Sequence, residues 1–306
     1  KRILFWGHKT DIRKKEQLFE KFINEKLNLT KEYSNPEELG ESSITCDYFI
    51  SGSDQLWNTN AIDFEWANLL EFAKRGKKIS YAASFGPSEQ NWTNDQKNRL
   101  EKDLKDFDYI SVREEGSYKN VCELTSKKSE IHIDPTMLLT KKEWEKLFNS
   151  NSLVNKKYIL FYELHGREEN IELAKKISKE LNLPILVPNC HRKLHFIKDF
   201  EKKYDVGPIE FLNLIYNAEL VLSSSFHGTV FSILFQKPFF AINGLKDFRI
   251  NTLLNRMNLE DRSVNVEDFK DKCKKAFDID FKESEEILDM ERKRSEEYLK
   301  KALDLV

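Results

Sequence analysis

Five short polar segments of this 306-residue chain each follow an apolar run, and they carry side chains that bind anions or move protons. They begin at Ser51, Ser84, Arg113, Glu163 and Ser223. Arginine forks and helix N-termini bind carboxylates and phosphates, while histidines and carboxylates transfer protons. Because ligands of open α/β sheets bind beyond the carboxyl ends of the strands, we expect these segments to line a cleft between two domains.

The sharpest local feature is the stretch SFHGT at residues 225–229, which begins a predicted helix. Free amide groups and the helix dipole attract anions there, and His227 could donate to a phosphate or move a proton. Gly228 would let a ligand approach the backbone closely. The alternative is that Ser225 caps the helix and His227 is an ordinary, partly buried histidine, and the stretch taken alone favours it.

Three further polar residues each allow a functional and a plain interpretation. Arg113 precedes two glutamates, so it forms either a surface ion pair or a fork for a carboxylate or phosphate. Asp54 is a general base, an acceptor from a sugar hydroxyl or a turn residue, and spacing alone favours the turn. Arg249 lies on a predicted helix, where most arginines are solvated.

Composition excludes several classes of protein. Lys and Arg number 50 and Asp and Glu 52, so the net charge of -2 excludes a strongly basic nucleic-acid binder. No apolar run approaches the roughly 20 residues of a membrane helix, and no signal peptide is recognised. We therefore expect that the protein has no nucleic-acid partner and that it is not an integral membrane protein.

The cysteines and the short motifs are equally restrictive. The four cysteines form no CxxC pair, which indicates reduced thiols in a cytoplasmic protein. Cys190 and His191 with His195 could be metal ligands, but no fourth ligand follows at a suitable spacing, so we predict a polar loop and no metal. Walker, GxGxxG, GxSxG and HExxH motifs are absent.

Apolar runs alternate with segments of helical periodicity along the whole chain. Strands are predicted at 48–50, 79–83, 109–112, 158–162, 185–187, 220–222 and 239–242, and helices at 14–29, 91–105, 114–124, 169–181, 208–217, 226–235 and 284–305. Such alternation predicts an α/β fold with parallel sheets. A polar stretch at 150–157 divides the chain into two Rossmann-like domains, 1–150 and 151–306. The last helix is amphipathic with charges of both signs, so we expect it to pack on a domain surface.

Several segments together resemble the bacterial polysaccharide pyruvyl transferase family. The similar blocks are GSDQLWN at 52–58, KISYAASFG at 78–86, ISVRE at 110–114, DPTMLL at 134–139, GPIEFL at 207–212, SSFHGTVFSI at 224–233, FR at 248–249 and LEDR at 259–262. They run in order through most of the chain. One departure is that residues 3–8 run directly into a charged helix, without the family's glycine-rich first turn, so the first βα unit is expected to be incomplete.

The resemblance implies a GT-B-like fold, in which two Rossmann-like domains face each other across a cleft. It also implies transfer of pyruvate from phosphoenolpyruvate onto a sugar of a surface polysaccharide, or onto its free or lipid-linked precursor, as a cyclic ketal. No cofactor is expected besides the donor substrate. A cytoplasmic location near the inner membrane face is expected.

Under this hypothesis His227 is the proton donor or a phosphate ligand, and Asp54 or Glu163 is the base for a sugar hydroxyl. The residues expected to bind substrate are Ser53, Gln55, Ser84, Gly86, Arg113, Ser225, Gly228, Thr229 and Arg249. Two alternatives remain open: a GT-B glycosyltransferase that uses a nucleotide sugar, and a non-catalytic paralogue that binds saccharide.

Overall fold

The computed structural model describes residues 6–42, 44–87, 89–188 and 192–306. Its ten strands are β1 (Tyr48–Ser51), β2 (Lys77–Ser80), β3 (Ile110–Val112), β4 (Ser129–Ile131), β5 (Ile159–Tyr162), β6 (Ile185–Pro188), β7 (Phe200–Lys203), β8 (Leu220–Ser223), β9 (Phe239–Ile242) and β10 (Ser263–Val264). Every strand pairing among the described residues is parallel, which confirms the predicted α/β class.

Helices connect most of these strands. The α-helices of the described residues are α1 (Lys9–Lys26), α2 (Pro36–Gly40), α3 (Asn94–Lys105), α4 (Glu115–Leu124), α5 (Lys141–Glu145), α6 (Glu168–Leu181), α7 (Arg192–His195), α8 (Pro208–Asn217), α9 (Phe226–Leu234), α10 (Phe248–Arg256), α11 (Phe269–Cys273) and α12 (Lys282–Ala302). Short 3₁₀ turns lie at Trp6–His8, Trp66–Leu69, Pro135–Met137, Gly244–Lys246 and Glu260–Arg262. Among the described residues, no helix is both long and apolar enough to span a bilayer.

The chain forms two compact units, each built from three segments. Unit 1 comprises Lys1–Thr30, Leu139–Gly244 and Leu259–Phe281, and unit 2 comprises Lys31–Leu138, Leu245–Asn258 and Lys282–Val306. These units do not coincide with the continuous halves 1–150 and 151–306 expected from the sequence. The difference arises because α10 and α12 belong to the unit that contains β1 to β4, although they follow the second sheet in the chain.

Unit 1 contains a six-stranded sheet with the order β10-β9-β8-β5-β6-β7. Numbered from β5, this is the doubly wound order 3-2-1-4-5-6, whose topological switch point lies between the first and fourth strands. The strands β8 and β9 are buried at every residue, as expected for parallel strands covered on both faces. The switch point therefore lies beyond the ends of β5 and β8, where Glu163 and Ser224 follow.

Unit 2 contains four parallel strands in chain order. β1 pairs with β2 and β3 with β4, while bridges Ile79–Tyr109 and Ala83–Val112 join the two pairs. Its core surrounds Trp57, which is fully buried and lies 5.5 Å from the Phe85 ring between centroids. This contact brings the blocks at 52–58 and 78–86 together, and the Trp57 amide also donates to the Ser84 carbonyl at 3.1 Å.

The last helix, α12, packs against the unit 2 sheet. Its buried residues recur every three or four positions: Ser284, Leu288, Arg292, Ser295, Tyr298 and Ala302. The Tyr298 hydroxyl donates to the Ser80 carbonyl at 2.9 Å, and Arg292 Nε donates to the Met137 carbonyl at 2.8 Å. The amphipathic pattern thus correctly predicted that this helix packs on a domain surface, but it did not predict the unit to which that surface belongs.

Three strands were not predicted from the sequence: β4, β7 and β10. They have only two to four residues, and β7 reads FEKK, so no apolar run marks them. Two sequence interpretations lie outside the described residues: the metal-ligand reading of Cys190 and His191, and the segment at 1–5 of the expected first βα unit.

Candidate active site

In unit 1, a buried carboxylate anchors the switch point. Glu163 Oε2 accepts from Ser224 Oγ at 2.6 Å and from Asn170 Nδ2 at 2.6 Å, and Oε1 accepts from the His165 amide at 2.8 Å. Burial alone would raise the pKa of Glu163, but these donors outweigh it and hold the pKa below its ordinary value. Glu163 is therefore a charged anchor between β5, α6 and the loop after β8, with little basicity to offer a substrate.

Helix α9 begins beside this anchor, and it presents His227 in its first turn. The imidazole is partly exposed and packs edge-on against the Phe226 ring, 5.3 Å between centroids. Ser225 occupies the N-cap position, but its side chain makes no capping hydrogen bond. The serine cap of the plain interpretation is therefore absent, whereas its partly buried histidine is what the structure shows at His227.

Gly228 and Thr229 are both buried at the start of α9. A Cβ on Gly228 would lie 2.2 Å from Ser223 Oγ and 3.1 Å from Tyr162 Cδ1, so the missing side chain lets α9 pack on the ends of β5 and β8. Thr229 is fully buried, and its hydroxyl donates to the Ser225 carbonyl at 3.2 Å. Helix packing therefore explains both residues.

In unit 2, Arg113 is the centre of a buried ionic network. Nη1 donates to Asp134 Oδ2 at 2.7 Å, Nη2 donates to Asp54 Oδ1 at 3.2 Å, and Nε lies 3.5 Å from Glu114 Oε2. Burial opposes the charged guanidinium, but the three carboxylates, Asp134 foremost, outweigh it and raise the pKa of Arg113. The sequence allowed two interpretations of Arg113, a surface ion pair and an open fork for a substrate. The buried network matches neither of them.

Asp54 and Ser53 form the accessible edge of this network. Asp54 adopts a φ of 64°, a conformation that aspartate tolerates better than most residues, and its side chain is 55% exposed. Ser53 Oγ donates to Asp134 Oδ2 at 3.0 Å and lies 3.4 Å from Arg113 Nη1. Asp54 is therefore oriented by Arg113 while one face of its carboxylate remains open to solvent.

Ser84 and Gly86 support the backbone beneath this edge. Ser84 is fully buried, and its hydroxyl donates to Glu114 Oε1 at 2.8 Å and accepts from the Gly86 amide at 3.0 Å. Gly86 has a φ of +106°, and a Cβ there would lie 2.7 Å from Asn58 Nδ2 and 3.1 Å from Gln55 Oε1. Ser84 and Gly86 thus shape the turn after β2 from within.

Arg249 is also committed to its own chain. Nε and Nη2 donate to the two carboxylate oxygens of Asp247 at 3.0 and 2.6 Å, and Asp247 caps α10 by accepting from the Arg249 amide at 2.9 Å. Of the sequence-predicted residues, His227 and Asp54 are the two that combine acid–base chemistry with exposure.

Asp134, Glu114 and Ser224 complete the two clusters, but they were not among the predicted catalytic or substrate-binding residues. Asp134 stands in the DPTMLL block, so the family resemblance was a usable signal for it. Burial raises the pKa of Glu114, against the opposing effect of Arg113. Within the described ranges, no group of three or more His, Cys, Asp or Glu residues is arranged to hold a metal ion.

Comparison with solved structures establishes the fold. MnaA from S. aureus, solved with UDP, has a TM-score of 0.54 and 14% identity, covering 97% of this chain and 80% of its own. UDP-GlcNAc 2-epimerase from Methanocaldococcus jannaschii has a TM-score of 0.49 and 16% identity, covering 89% and 75%. With the parallel sheets described above, the likeness to MnaA shows an α/β fold of the GT-B type, as the resemblance to the family implies.

Comparison of sequences decides the family. No curated protein gives a significant match. The family model described as polysaccharide pyruvyl transferase, however, matches residues 3–244, which is most of the chain and includes both polar clusters. The chain belongs to the polysaccharide pyruvyl transferase family.

Proposed function

We propose that the protein transfers the pyruvyl group of phosphoenolpyruvate onto two hydroxyls of a saccharide, forming a cyclic ketal. The observation that carries this proposal is the accessible His227 in the first turn of α9, beyond the switch point of a doubly wound sheet. Amide groups at a helix N-terminus favour a phosphate, and an imidazole in that turn supplies a proton or a further hydrogen bond.

The chemistry fixes what such a site must supply. A proton is added to the methylene carbon of phosphoenolpyruvate, and a sugar hydroxyl oxygen bonds to the adjacent carbon, which carries the phosphate oxygen. The bond from that carbon to the phosphate oxygen then breaks, and a second hydroxyl closes the ketal as inorganic phosphate leaves. The two hydroxyl protons balance the new C–H bond and the released phosphate.

The described contacts favour distinct roles for the candidates. His227 protonates the enol or binds its phosphate. Asp54 receives a hydroxyl proton, because it is open to solvent and oriented by Arg113. Glu163 and Arg113 are positioning residues, since their polar atoms are engaged within the chain. Synthesis on a free or lipid-linked precursor at the cytoplasmic membrane face belongs to the same proposal.

The experiment is a thermal-shift titration with phosphoenolpyruvate, UDP-sugars and GDP-sugars. A ligand that binds only the folded state stabilises it by about 2.7 kcal/mol at a concentration of 100 Kd. We expect stabilisation by phosphoenolpyruvate, weakened about 10- to 100-fold in affinity by His227→Ala, because hydrogen bonds to charged groups contribute about 1.5–3 kcal/mol. His195→Ala, which removes a histidine bonded to Tyr204 in the same unit, is the matched control.

The nucleotide arm tests the second candidate function. The fold likeness to MnaA, whose structure contains UDP, makes a nucleotide-sugar transferase the natural competitor. Stabilisation by nucleotide sugars alone would establish that competitor. An undiminished response to phosphoenolpyruvate in His227→Ala would exclude His227 as the ligand of the donor phosphate.

A further inference from the structure

Unit 2 contains a pocket that the two polar clusters do not use. Its volume is about 820 Å³, within the range of roughly 300–1,000 Å³ typical of ligand pockets. Helices α4 and α10 supply most of its wall. Glu115, Lys119 and Glu123 follow one another at four-residue spacing on α4, and Asn251 and Asn255 do so on α10.

A close helix contact forms one end of the pocket. A Cβ on Gly116 would lie 2.5 Å from Phe248 Cδ2, so the glycine lets the Phe248 ring reach the α4 backbone. The Glu115 amide donates to Thr252 Oγ1 at 3.3 Å, and the Phe248 amide donates to the Pro87 carbonyl at 3.0 Å. The pocket is thus a fixed feature next to the turn that carries Ser84 and Gly86.

Two carboxamides on α10 are oriented before any ligand binds. Asn255 Nδ2 donates to the Asn251 carbonyl at 2.8 Å and also to Asn251 Oδ1. Among the described residues, Asn251 Nδ2 and Asn255 Oδ1 then have no hydrogen-bond partner. One donor and one acceptor side by side match a pair of neighbouring hydroxyls, each of which both donates and accepts.

The charges of the lining select against anions. Glu89, Glu115 and Glu123 stand against Lys119 and Arg256, and Arg256 Nη1 already lies 3.4 Å from Glu291 Oε2. A pyrophosphate or a carboxylated ligand would meet excess negative charge. An uncharged ligand rich in hydroxyls would meet carboxamides, carboxylates, a threonine hydroxyl and the Phe248 ring.

We propose that this pocket binds a neutral saccharide segment, separate from the sugar that reacts. The inference rests on the proposed function in one respect: the segment would be a more distant part of the acceptor. Its polar lining and its place beside the turn after β2 support that assignment. Two asparagines that line the pocket, Asn251 on α10 and Asn120 on α4, should then affect acceptor recognition without affecting the donor.

The test measures binding of the full-length protein to an array of neutral and acidic bacterial oligosaccharides. Asn251→Ala and Asn120→Ala each replace a helical asparagine of the pocket with a better helix former, so both variants should fold. Asn98→Ala makes the same change at an exposed position of α3 and is the matched control. We expect a neutral glycan to bind, with a 5- to 50-fold loss in each pocket variant and none in Asn98→Ala.

A thermal shift with phosphoenolpyruvate, measured on the same variants, separates this inference from the proposed function. An unchanged donor response with weakened glycan binding supports both. If phosphoenolpyruvate does not stabilise the wild-type protein, the result counts against pyruvyl transfer, and the glycan result is unaffected. Binding of acidic glycans in preference to neutral ones, no glycan binding, or equal binding by all variants would each overturn the saccharide pocket.

Discussion

Arg113 is a buried charge, and two of the carboxylates that compensate it lie far from it in the sequence. Removing it would leave Asp134 and Glu114, both almost fully buried, without their counterion. Breaking a buried ion pair on one side costs about 3–5 kcal/mol. We therefore expect Arg113→Ala to lower the free energy of unfolding by that amount in urea denaturation, so loss of donor binding in this variant would follow from loss of structure.

Arg294 provides the control for this prediction. It pairs at 3.7 Å with Glu291 on α12, and its side chain is 48% exposed. Exposed pairs contribute at most about 1 kcal/mol, so Arg294→Ala should change stability little. Equal losses in the two variants would contradict the buried network.

The sequence allowed two interpretations of Arg113, and the buried ionic network agrees with neither. Its neighbours Glu114 and Glu115 suggested a surface pair, whereas Asp54 and Asp134 lie 59 and 21 positions away and become partners only through the parallel sheet. Local spacing carries no information about such contacts. His227, by contrast, was correctly placed at a helix start, because that prediction needs only the apolar run and turn around it.

At the scale of elements, the contact between α9 and β8 depends on the absence of one side chain. Gly228→Ala would bring a Cβ to 2.2 Å from Ser223 Oγ and 2.9 Å from Ser223 Cβ. Overpacking of this kind costs about 1–3 kcal/mol. We expect that loss in chemical denaturation and a partial recovery in the double variant Gly228→Ala/Ser223→Gly. A double variant no more stable than Gly228→Ala would show that the glycine has another purpose.

The contact of His132, the residue directly after β4, with α12 should make stability depend on pH. His132 is fully buried, its Nδ1 lies 3.1 Å from Ser295 Oγ, and its ring centroid lies 4.6 Å from that of Tyr298. Burial, with Arg294 nearby, lowers the pKa of His132 from 6.5 to about 4. Between these values the unfolded chain binds the proton and the folded chain does not.

The contribution of His132 is therefore complete above pH 6.5 and decreases as the pH falls toward 4, by at most about 3 kcal/mol. His132→Gln should flatten the stability profile across this window, measured by urea denaturation at successive pH values. His165→Gln, at an exposed histidine, should leave the slope as it is. An unchanged slope in His132→Gln would mean that other groups cause the acid dependence.

For the whole molecule, the sequence predicted the class of each sheet better than the division of the chain. Alternating apolar runs fix parallel strands and their helices locally, and β9 and α8 occur at the predicted residues. The unit on which a helix packs depends instead on which surface its apolar stripe complements. For α12 that surface includes Ile79 and Tyr81, more than 200 positions earlier in the chain.

This interleaving leads to a prediction about fragments. A piece ending at residue 150 contains β1 to β4 but lacks α10 and α12, so the cluster of Ile79, Tyr81 and Ala82 loses Tyr298 and Ala302. His132 and the Ser80 carbonyl also lose their partners on α12. Fragment 1–150 should therefore show no cooperative unfolding transition, as measured by circular dichroism during urea denaturation.

Adding residues 282–306 as a separate peptide should restore part of that transition, because it returns the face that covers Ile79 and Tyr81. A peptide in which Leu288 and Tyr298 are replaced by Ser is the control, since both side chains are buried in the intact chain. Recovery that requires the unmodified peptide would establish α12 as part of the unit 2 core. A cooperative transition in fragment 1–150 alone would show instead that β1 to β4 form a complete domain and that α12 is an accessory to it.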